Sequence, residues 1–389
     1  MSTNDAGRVK ITVWGLILVL CLSLWGCQAQ TEQTVRIGVL VPLSGDLVAT
    51  HGRPTLEGIE LAAAVVNEEG GVLIDGERYL LELVVANNQD NAQTAVAEAE
   101  RLINQEKVVA LVGLPLSRNA IPVAQIAEAA GIPLISAKST NPETTRDKSY
   151  VFRVPFTDTF QGEVLARFGH EVLLAERAAV LYDIASDYNR GLAESFRDGF
   201  EQLGGQVVAF ESYTTDVNND FRPQLERISA SKADVLFLPN YLNDVPLQAT
   251  QARNLGIEAT ILGGDAWDGA VLQNEPALAG AFFSKLWDPA IETGLGSLFI
   301  ERYVARYGQV PEEGAAAAYD SIGLLVAGMR IGGGIEPADI QRGLRAGELF
   351  EGVTGTIQYI DGGDPARTVF ILRVTAEGTR FEQEVPPVN

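Results

Sequence analysis

The sequence predicts an α/β protein of two discontinuous lobes, each a three-layer sandwich of helices around a parallel sheet, with three hinge strands joining the lobes. The chain has 389 residues, which is too long for one compact core and indicates at least two domains. From residue 35 onward, short β-rich runs alternate with amphipathic helical stretches, the pattern of βαβ units in parallel sheets. Three stretches interrupt this alternation, at residues 152–158, 282–289 and 350–365. Three chain crossings at these points would make each lobe discontinuous.

Eight short runs rich in aliphatic and β-branched residues are predicted to be strands. They span residues 35–41, 79–86, 108–113, 132–136, 178–182, 206–212, 234–239 and 259–264. Most of the intervals between them leave room for a helix, so sequential strands are expected to lie parallel.

Helical periodicity is clearest in two of the intervening stretches. In residues 55–71, apolar side chains recur at helical spacing, and Gly70 and Gly71 supply a C-terminal stop. In residues 91–107, alanines, a leucine and an isoleucine share one face while glutamates occupy the other. The glycines at 332–334 are interpreted as a helix stop and turn.

The lobe boundaries follow from the three interruptions. Pro155 fixes its own φ and favours an extended Val154, as a crossing between lobes would require. Crossings are therefore expected near residues 154–157, 284–288 and 353–357. The N-terminal lobe would comprise residues 35–154 plus 288–353, and the C-terminal lobe residues 156–284 plus 357–389.

The N-terminus is predicted to be a lipoprotein signal. An apolar run at residues 11–24 follows two basic residues and is shorter than the roughly 20 residues of a membrane span. Residues 24–27, Leu-Trp-Gly-Cys, resemble a bacterial lipobox. We expect a signal peptide at 1–26, a lipid on Cys27 and a linker at 27–34, with the protein extracytoplasmic, in the periplasm or at the cell surface. The alternative, a plain secretory signal or an uncleaved anchor, also keeps the protein outside the cytoplasm.

The composition argues against several classes of function. With 51 acidic and 29 basic side chains, the formal charge of −22 would repel the phosphates of nucleic acid. Two histidines and two cysteines cannot build a zinc finger and leave little for histidine-dependent catalysis. The sequence contains no phosphate loop, nucleophile elbow, zincin or thiol-redox motif. We therefore expect no enzyme activity, no cofactor, no metal site and no nucleic-acid partner.

Polar residues follow four of the predicted strands. These segments are residues 41–46, 113–117, 136–143 and 263–268. Open α/β sheets bind ligands in the crevice beyond the carboxyl ends of their strands. The sequence therefore predicts a small-molecule site formed by these four segments.

At these segments the chain resembles the periplasmic solute-binding proteins of branched-chain amino acid ABC transporters, the leucine/isoleucine/valine-binding type with the type I periplasmic binding protein fold. The resemblance runs from about residue 35 to about residue 364 and is specific through the order and spacing of its motifs. They are IGVLVPLSGDLVATHG (37–52), EEGGV (68–72), VVALVGLPLS (108–117), AGIPLISAKSTNPE (130–143), Phe152-Arg153 and AAAAYDSIGLL (315–325).

The resemblance implies a lipid-anchored binding protein of an ABC importer, which captures a branched-chain or related amino acid by hinge closure and delivers it to a membrane permease. We expect it to act as a monomer. One alternative is a binder or sensor of the same fold for a non-amino-acid ligand, such as an aromatic or aliphatic carboxylate or an amide. A secreted enzyme is a third, disfavoured alternative, because its motifs are missing.

The resemblance also implies how an amino-acid zwitterion would be held. Ser117 and Thr140 fall where the family's first lobe binds the ligand carboxylate, and hydroxyls with nearby backbone N–H groups suit an anion. Asp265 falls where the second lobe has the acid that pairs with the ligand ammonium, usually a glutamate. Tyr241 falls on an aromatic position near the same group. The alternatives are a helix cap for Ser117, a turn cap for Asp265 and a packing role for Tyr241.

Four further residues complete the predicted site. His51 and Tyr188 fall on positions where the family has aromatic residues lining the cleft; the alternatives are a surface loop for His51 and core packing for Tyr188. Lys138 and Ser139 precede Thr140 in its loop, and Lys138 stands where amino-acid binders commonly have a small residue. The lysine either extends to solvent or turns inward. If it turns inward, it adds a positive charge that favours a ligand with a second carboxylate or without an ammonium.

Overall fold

The computed structural model describes residues 33–214, 220–267, 272–291 and 294–387. The predicted signal peptide, Cys27 and most of the linker after it lie outside the described residues, as does Asp268 at the end of the fourth polar segment. From Thr34 onward the chain forms one compact unit.

Fifteen strands are found in the described residues. They are β1 Gln33–Val41, β2 Val72–Ile74, β3 Glu77–Asn87, β4 Ala110–Gly113, β5 Leu134–Ser136, β6 Val151–Arg153, β7 Arg177–Asp183, β8 Gln206–Tyr213, β9 Val235–Leu238, β10 Thr260–Gly263, β11 Phe282–Lys285, β12 Phe350–Gly352, β13 Gly355–Ile357, β14 Val369–Thr375 and β15 Gly378–Val385.

The α-helices of the described residues fill the intervals between these strands. They are α1 Arg53–Glu68, α2 Ala92–Asn104, α3 Ser117–Ala130, α4 Asp158–Arg167, α5 Asp187–Gln202, α6 Arg222–Ser231, α7 Val245–Asn254, α8 Gly296–Tyr307, α9 Glu313–Gly332 and α10 Pro337–Leu344.

The strands form two large sheets. The first has the order β2-β3-β1-β4-β5-β6, in which β1, β4, β5 and β6 run parallel. The second has the order β15-β14-β11-β10-β9-β7-β8, in which β7 to β11 run parallel. A hairpin of β12 and β13 stands apart from both. The fold class predicted from the sequence, α/β with two lobes, is confirmed.

Each sheet is covered on both faces, as a three-layer sandwich requires. In β4, Val112 belongs to one hydrophobic cluster and Leu111 to another. In β9, Phe237 and Leu238 likewise belong to different clusters. Because successive side chains of a strand point to opposite faces, these central strands are buried on both sides.

All eight predicted strands overlap observed strands, and the predicted helix stops are found. Gly70 and Gly71 have φ of 88° and 82°, a backbone conformation that costs glycine little. The longest helix, α9, ends at Gly332 with Gly333 at φ 72°. The predicted sheets are parallel except at their edges, where β2 pairs antiparallel with β3, and β14 pairs antiparallel with β11 and β15.

Two hydrogen bonds of the Arg153 backbone indicate how far the chain stays beside the first sheet. The backbone N–H of Arg153, at the end of β6, donates to the oxygen of Gly363 at 2.9 Å. The Tyr359 hydroxyl donates to the oxygen of Arg153 at 2.8 Å. The chain therefore stays beside β6 as far as Gly363, beyond the stretch where the sequence predicts the third crossing. The lobe boundaries themselves stay predictions.

Candidate functional site

The polar segments at the carboxyl ends of the two sheets meet around one small cavity. It is lined by His51, Pro115, Ser117, Lys138, Tyr188, Tyr241, Asp265 and Ala266. Six of the eight predicted ligand-binding residues are therefore brought together, and the remaining two, Ser139 and Thr140, are buried next to Lys138 in its loop. The cavity has a volume of about 10 Å³, which is room for about one water molecule.

Ser117 is presented by a tight turn after β4. Gly113 has φ 104°, and a Cβ there would lie 2.6 Å from the oxygen of Leu40, so only glycine fits this close approach. The helix α3 begins at Ser117 itself, with Leu116 at the cap position and no side-chain cap. The helix-cap alternative for Ser117 is therefore wrong. Its hydroxyl instead accepts hydrogen bonds from Ser139 Oγ at 3.0 Å and from the N–H of Asn141 at 3.4 Å.

The loop after β5 donates two hydrogen bonds to Ser117 and is itself held in place by Arg153. Its backbone is held by Arg153, which is fully buried and donates from Nη1 to the oxygen of Ser139 at 2.9 Å. Ser139 Oγ also lies 2.7 Å from Thr144 Oγ1. Thr140 is buried, and its Oγ1 makes no hydrogen bond of normal geometry. The loop thus holds the Ser139 hydroxyl against Ser117 and buries the Thr140 hydroxyl one residue further on.

Asp265 follows β10 and is held by residues of the second sheet's helices. Its Oδ1 accepts a hydrogen bond from the Tyr188 hydroxyl at 2.8 Å, and its N–H donates to Gln161 Oε1 at 2.9 Å. Burial raises the pKa of the Asp265 carboxyl, and the nearby Lys138 ammonium opposes that rise. The carboxylate is therefore a buried acid with one oxygen partnered by a neutral donor.

Aromatic rings form one wall of the cavity. The ring centroids of Tyr188 and Tyr241 are 5.2 Å apart, and His51 meets Tyr241 edge-on at 5.3 Å. The guanidinium of Arg118 lies 5.4 Å from the Tyr241 centroid on another side and forms an ion pair with Asp90. His51 is only 3% exposed, so the surface-loop alternative for it is wrong. These rings give the cavity an apolar side next to its polar one.

Lys138 turns inward, and the alternative in which it extends to solvent is wrong. Its side chain is 4% exposed, and Nζ lies 3.1 Å from Glu313 Oε1. The same ammonium donates to the backbone oxygen of Asp265 at 3.0 Å. Lys138 thus reaches from the loop of the first sheet to the segment after β10 of the second.

Glu313, at the start of α9, fixes the position of the Lys138 ammonium. Its Oε2 accepts from the N–H of Leu286 at 2.8 Å, and Lys285 Nζ lies 3.7 Å from the same oxygen. Two buried cations therefore share one buried carboxylate, and the carboxylate is tied to the backbone just beyond β11.

Sequence reasoning missed Glu313 and Gln161. An acidic residue in the first turn of a helix ordinarily faces solvent and interacts with the helix dipole, so nothing in the pattern marks Glu313 as buried. Gln161 lies within α4 and bridges the N–H of Asp265 and Ser284 Oγ, the latter at 2.7 Å. Its only sequence signal is a polar residue on the buried side of a short helix.

Among the described residues, no group of three or more His, Cys, Asp or Glu side chains is arranged to hold a metal ion. Within the same residues, every helix is too short or too polar to span a bilayer.

Comparison with known proteins gives consistent matches. The family described as periplasmic binding protein matches residues 34–379. An amino acid binding protein of Pseudomonas aeruginosa is 30% identical over 359 residues, which are 90% of this chain and 92% of that protein. The leucine binding protein LivK of Thermotoga maritima superposes with a TM-score of 0.84 at 31% identity, over 91% of this chain and 99% of that one. The branched-chain amino acid transporter substrate binding protein LivJ of Streptococcus pneumoniae, solved with isoleucine, gives a TM-score of 0.82 at 30% identity, over 91% and 100%.

Proposed function

The chain belongs to the periplasmic binding protein family, and from this premise we propose that it is the solute-binding subunit of an ABC importer and captures an amino acid between its two lobes. Membership of this family implies an extracytoplasmic location. The ligand is an α-amino acid with an apolar side chain of the branched-chain type, delivered to a permease in the membrane.

The observation that carries the proposal is the pairing of opposite chemistries across one cavity. Ser117 lines the cavity on the side of the first sheet, with Thr140 buried in the adjoining loop after β5, and Asp265 lines it on the side of the second. A zwitterion shielded from water needs a partner for each of its charges. Hydroxyls suit its carboxylate, and Asp265 suits its ammonium.

Charge balance supports an amino acid over a ligand that lacks an ammonium. The inward Lys138 alone would favour an extra negative charge on the ligand. Its ammonium, however, lies 3.1 Å from the Glu313 carboxylate, so Lys138 already has a charged partner within the protein. The donor to the Asp265 carboxylate is the neutral Tyr188 hydroxyl, and the ammonium of an amino acid would give that carboxylate a charged partner.

The apolar part of the ligand would meet the aromatic wall of His51, Tyr188 and Tyr241, with Pro115 and Ala266 completing the surface. These groups offer few hydrogen bonds, so they favour an aliphatic side chain. The relatives support the same class, because those named above are an amino acid binding protein, a leucine binding protein and a protein bound to isoleucine.

The runner-up is a binder or sensor for an aromatic or aliphatic carboxylate or an amide. Its specific support is Lys138, which is a cavity-lining cation that ligand binding could free from Glu313. In that case the lysine, and not the hydroxyls alone, would hold the carboxylate.

Binding would require the lobes to move. A cavity of about 10 Å³ has room for about one water molecule, so an amino acid cannot enter it as it stands. We propose that the lobes, with the boundaries predicted from the sequence, separate to admit the ligand and close over it. Anchoring through a lipid on Cys27 would keep the protein at the membrane near its permease.

The experiment that tests the function begins with the ligand. Mass spectrometry of the small molecules released when the purified protein is denatured should detect an aliphatic amino acid. Calorimetry with leucine, isoleucine and valine should then give affinities near the micromolar range, about −8 kcal/mol. Recovery of an aromatic carboxylate or an amide, with no heat from any of these amino acids, would favour the runner-up.

A further inference from the structure

Arg118 reaches from the first sheet's side of the ligand site to the second sheet's side. It follows Ser117 at the start of α3, and its side chain is mostly buried. The central carbon of its guanidinium lies 5.4 Å from the centroid of the Tyr241 ring. Tyr241 lines the ligand cavity and comes shortly after β9 of the second sheet. Two adjacent residues of one helix therefore act on the cavity differently, Ser117 as part of its lining and Arg118 through the wall residue Tyr241.

Asp90 holds the guanidinium in this position. Arg118 Nε donates to Asp90 Oδ1 at 2.7 Å, and Nη2 donates to Oδ2, so that two bonds fix both the place and the plane of the guanidinium. Asn119 Nδ2 donates to the same Oδ1 at 3.2 Å. Gln89 and Asp90 have φ of 54° and 52°, which is uncommon outside glycine, and the Asp90 N–H donates to Asn88 Oδ1 at 2.9 Å. The loop after β3 therefore holds the Asp90 carboxylate against Arg118.

The second sheet presents a negative charge to the same cation. Asp183 is the last residue of β7 and is buried. Burial alone would lower the pKa of the Arg118 guanidinium, but hydrogen bonding to Asp90 and the electrostatic effects of Tyr241, Asp90 and Asp183 raise it above its ordinary value. The cation is therefore stabilised by an acid of its own side and by an acid of the opposite side.

The Tyr241 ring packs on other rings as well as on the cation. Its centroid is 5.2 Å from that of Tyr188, and His51 meets it edge-on at 5.3 Å. Arg118 lies within the roughly 6 Å at which a cation is attracted by an aromatic face. Arg118 therefore adds a charged neighbour from α3 to a ring that otherwise packs on aromatic ones.

We propose that Arg118 is a positioning residue for ligand capture. Held by Asp90, it fixes the Tyr241 ring in the wall of the ligand cavity and holds the two sides of the cleft together when they are closed. This inference rests on the proposed function, because it requires an amino-acid ligand and lobes that separate to admit it. The ligand can leave only after the lobes separate, so a contact between closed lobes slows dissociation and has little effect on association.

The test is leucine binding by the wild type and by Arg118→Gln, with calorimetry for the dissociation constant and stopped-flow fluorescence for the two rates. Arg118→Gln should weaken binding by at least about threefold and by up to about 30-fold, which is the range of a cation–π contact that is partly desolvated. The dissociation rate should rise by the same factor, and the association rate should stay within about twofold. Arg227→Gln is a matched control, because Arg227 forms an exposed pair with Glu211, and it should bind leucine as the wild type does.

Two further variants show whether Arg118 acts through the ring. Tyr241→Phe keeps the ring, so Arg118→Gln should cost about the same factor in that background as in the wild type. Tyr241→Leu removes the ring, so Arg118→Gln should cost a smaller factor there. Where Tyr241→Leu binds leucine too weakly to measure, the dissociation rates in the wild-type and Tyr241→Phe backgrounds decide. If Arg118→Gln does not fold, Arg118→Lys keeps the charge, loses the two-bonded contact with Asp90 and should also bind leucine more weakly.

The outcomes separate this inference from the proposed function. A wild type that binds no leucine would overturn the proposed function itself. If the wild type binds leucine and Arg118→Gln binds it within about threefold of the wild type, only the role of Arg118 is overturned. That role is also overturned if the association rate falls while the dissociation rate is unchanged, or if Arg118→Gln costs the same factor in Tyr241→Leu as in Tyr241→Phe.

Discussion

The ammonium of Lys138 lies 3.1 Å from the Glu313 carboxylate, and both side chains are buried. The same ammonium donates to the backbone oxygen of Asp265 at 3.0 Å. Lys138, in the loop after β5 of the first sheet, therefore pairs with the Glu313 carboxylate and also donates to the backbone of Asp265. This relationship links the candidate ligand site to the backbone at Leu286, which Glu313 also binds.

Breaking the pair should destabilise the protein more than removing it. Glu313→Gln alone should lower the free energy of unfolding by about 3 to 5 kcal/mol, because it leaves the buried ammoniums of Lys138 and Lys285 without their shared carboxylate. Lys138→Met alone should cost less, because Lys285 stays beside Glu313. The double variant should lose less than the sum of the two. Urea unfolding measures all three, and Arg146→Ala, in an exposed pair with Glu143, serves as a control that should change little. Additive losses in the double variant would show that the two charges do not depend on each other.

Closure of the lobes predicts a change in dimensions. Because the ligand cavity has a volume of only about 10 Å³, the form that admits a ligand must be more open. Small-angle scattering should show a smaller radius of gyration with saturating leucine than without it. Lys138→Ala removes the contact between the loop after β5 and Asp265, so this variant should be more open without leucine. Its radius of gyration should therefore fall by more than that of the wild type when leucine binds. Equal dimensions with and without leucine in both chains would contradict closure.

Asp158 should make stability depend on pH. Burial raises the pKa of its carboxyl well above the ordinary 3.8, with Asp265 adding to the rise and Arg153 and the Thr140 hydroxyl opposing it. Between 3.8 and that raised value, the folded state binds more protons than the unfolded state, so stability falls as pH rises through this window. Asp158→Asn should remove this part of the fall and be more stable than the wild type at neutral pH. Urea unfolding from pH 4 to pH 8 measures the free energy of unfolding of both chains. If that free energy changes with pH equally in the wild type and in Asp158→Asn, the pH dependence does not come from Asp158.

The general location of the site could be predicted from the sequence, because ligand sites of open α/β sheets lie beyond the carboxyl ends of strands. Ser117 and Asp265 each follow a strand that is recognisable by its aliphatic run, and both line the cavity. The antiparallel pair β14 and β15 was not predicted. β15 is mostly exposed and polar and lacks the continuous apolar run that marks buried strands, whereas β14 does begin with such a run, Val-Phe-Ile-Leu, and is mostly buried.

The charge network could not be predicted, because it depends on contacts between residues distant in the chain. Lys138 and Glu313 are 175 positions apart by their numbers, and each alone has the pattern of a solvent-exposed residue. Likewise, the sequence shows a histidine at position 51 in a loop, but its burial follows from its packing on Tyr241. Burial of this kind is set by the meeting of two lobes and not by local periodicity.

The proposed lipid anchoring depends on Cys27, which follows a short apolar run and a glycine. Cys27→Ser should prevent lipidation and release soluble protein. Fractionation of cells that express either chain, followed by mass measurement of the membrane-bound form, checks this. If Cys27→Ser stays with the membrane to the same extent as the wild type, the segment is an ordinary anchor and the lipoprotein interpretation fails.

The division of charges between Ser117, Thr140 and Asp265 is the central claim, and calorimetry on Asp265→Asn and Asp265→Ala with leucine and with 4-methylpentanoate tests it most directly. Loss of one partner of a buried charge pair costs about 2 to 5 kcal/mol, so both variants should bind leucine at least about 30-fold more weakly, at about 1.4 kcal/mol per tenfold. The asparagine variant keeps the shape of the side chain and so isolates the charge. 4-Methylpentanoate, which is leucine without its amino group, should bind the variants as well as or better than it binds the wild type. If the variants bind leucine within about threefold of the wild type, the account of a zwitterion held by Asp265 is contradicted.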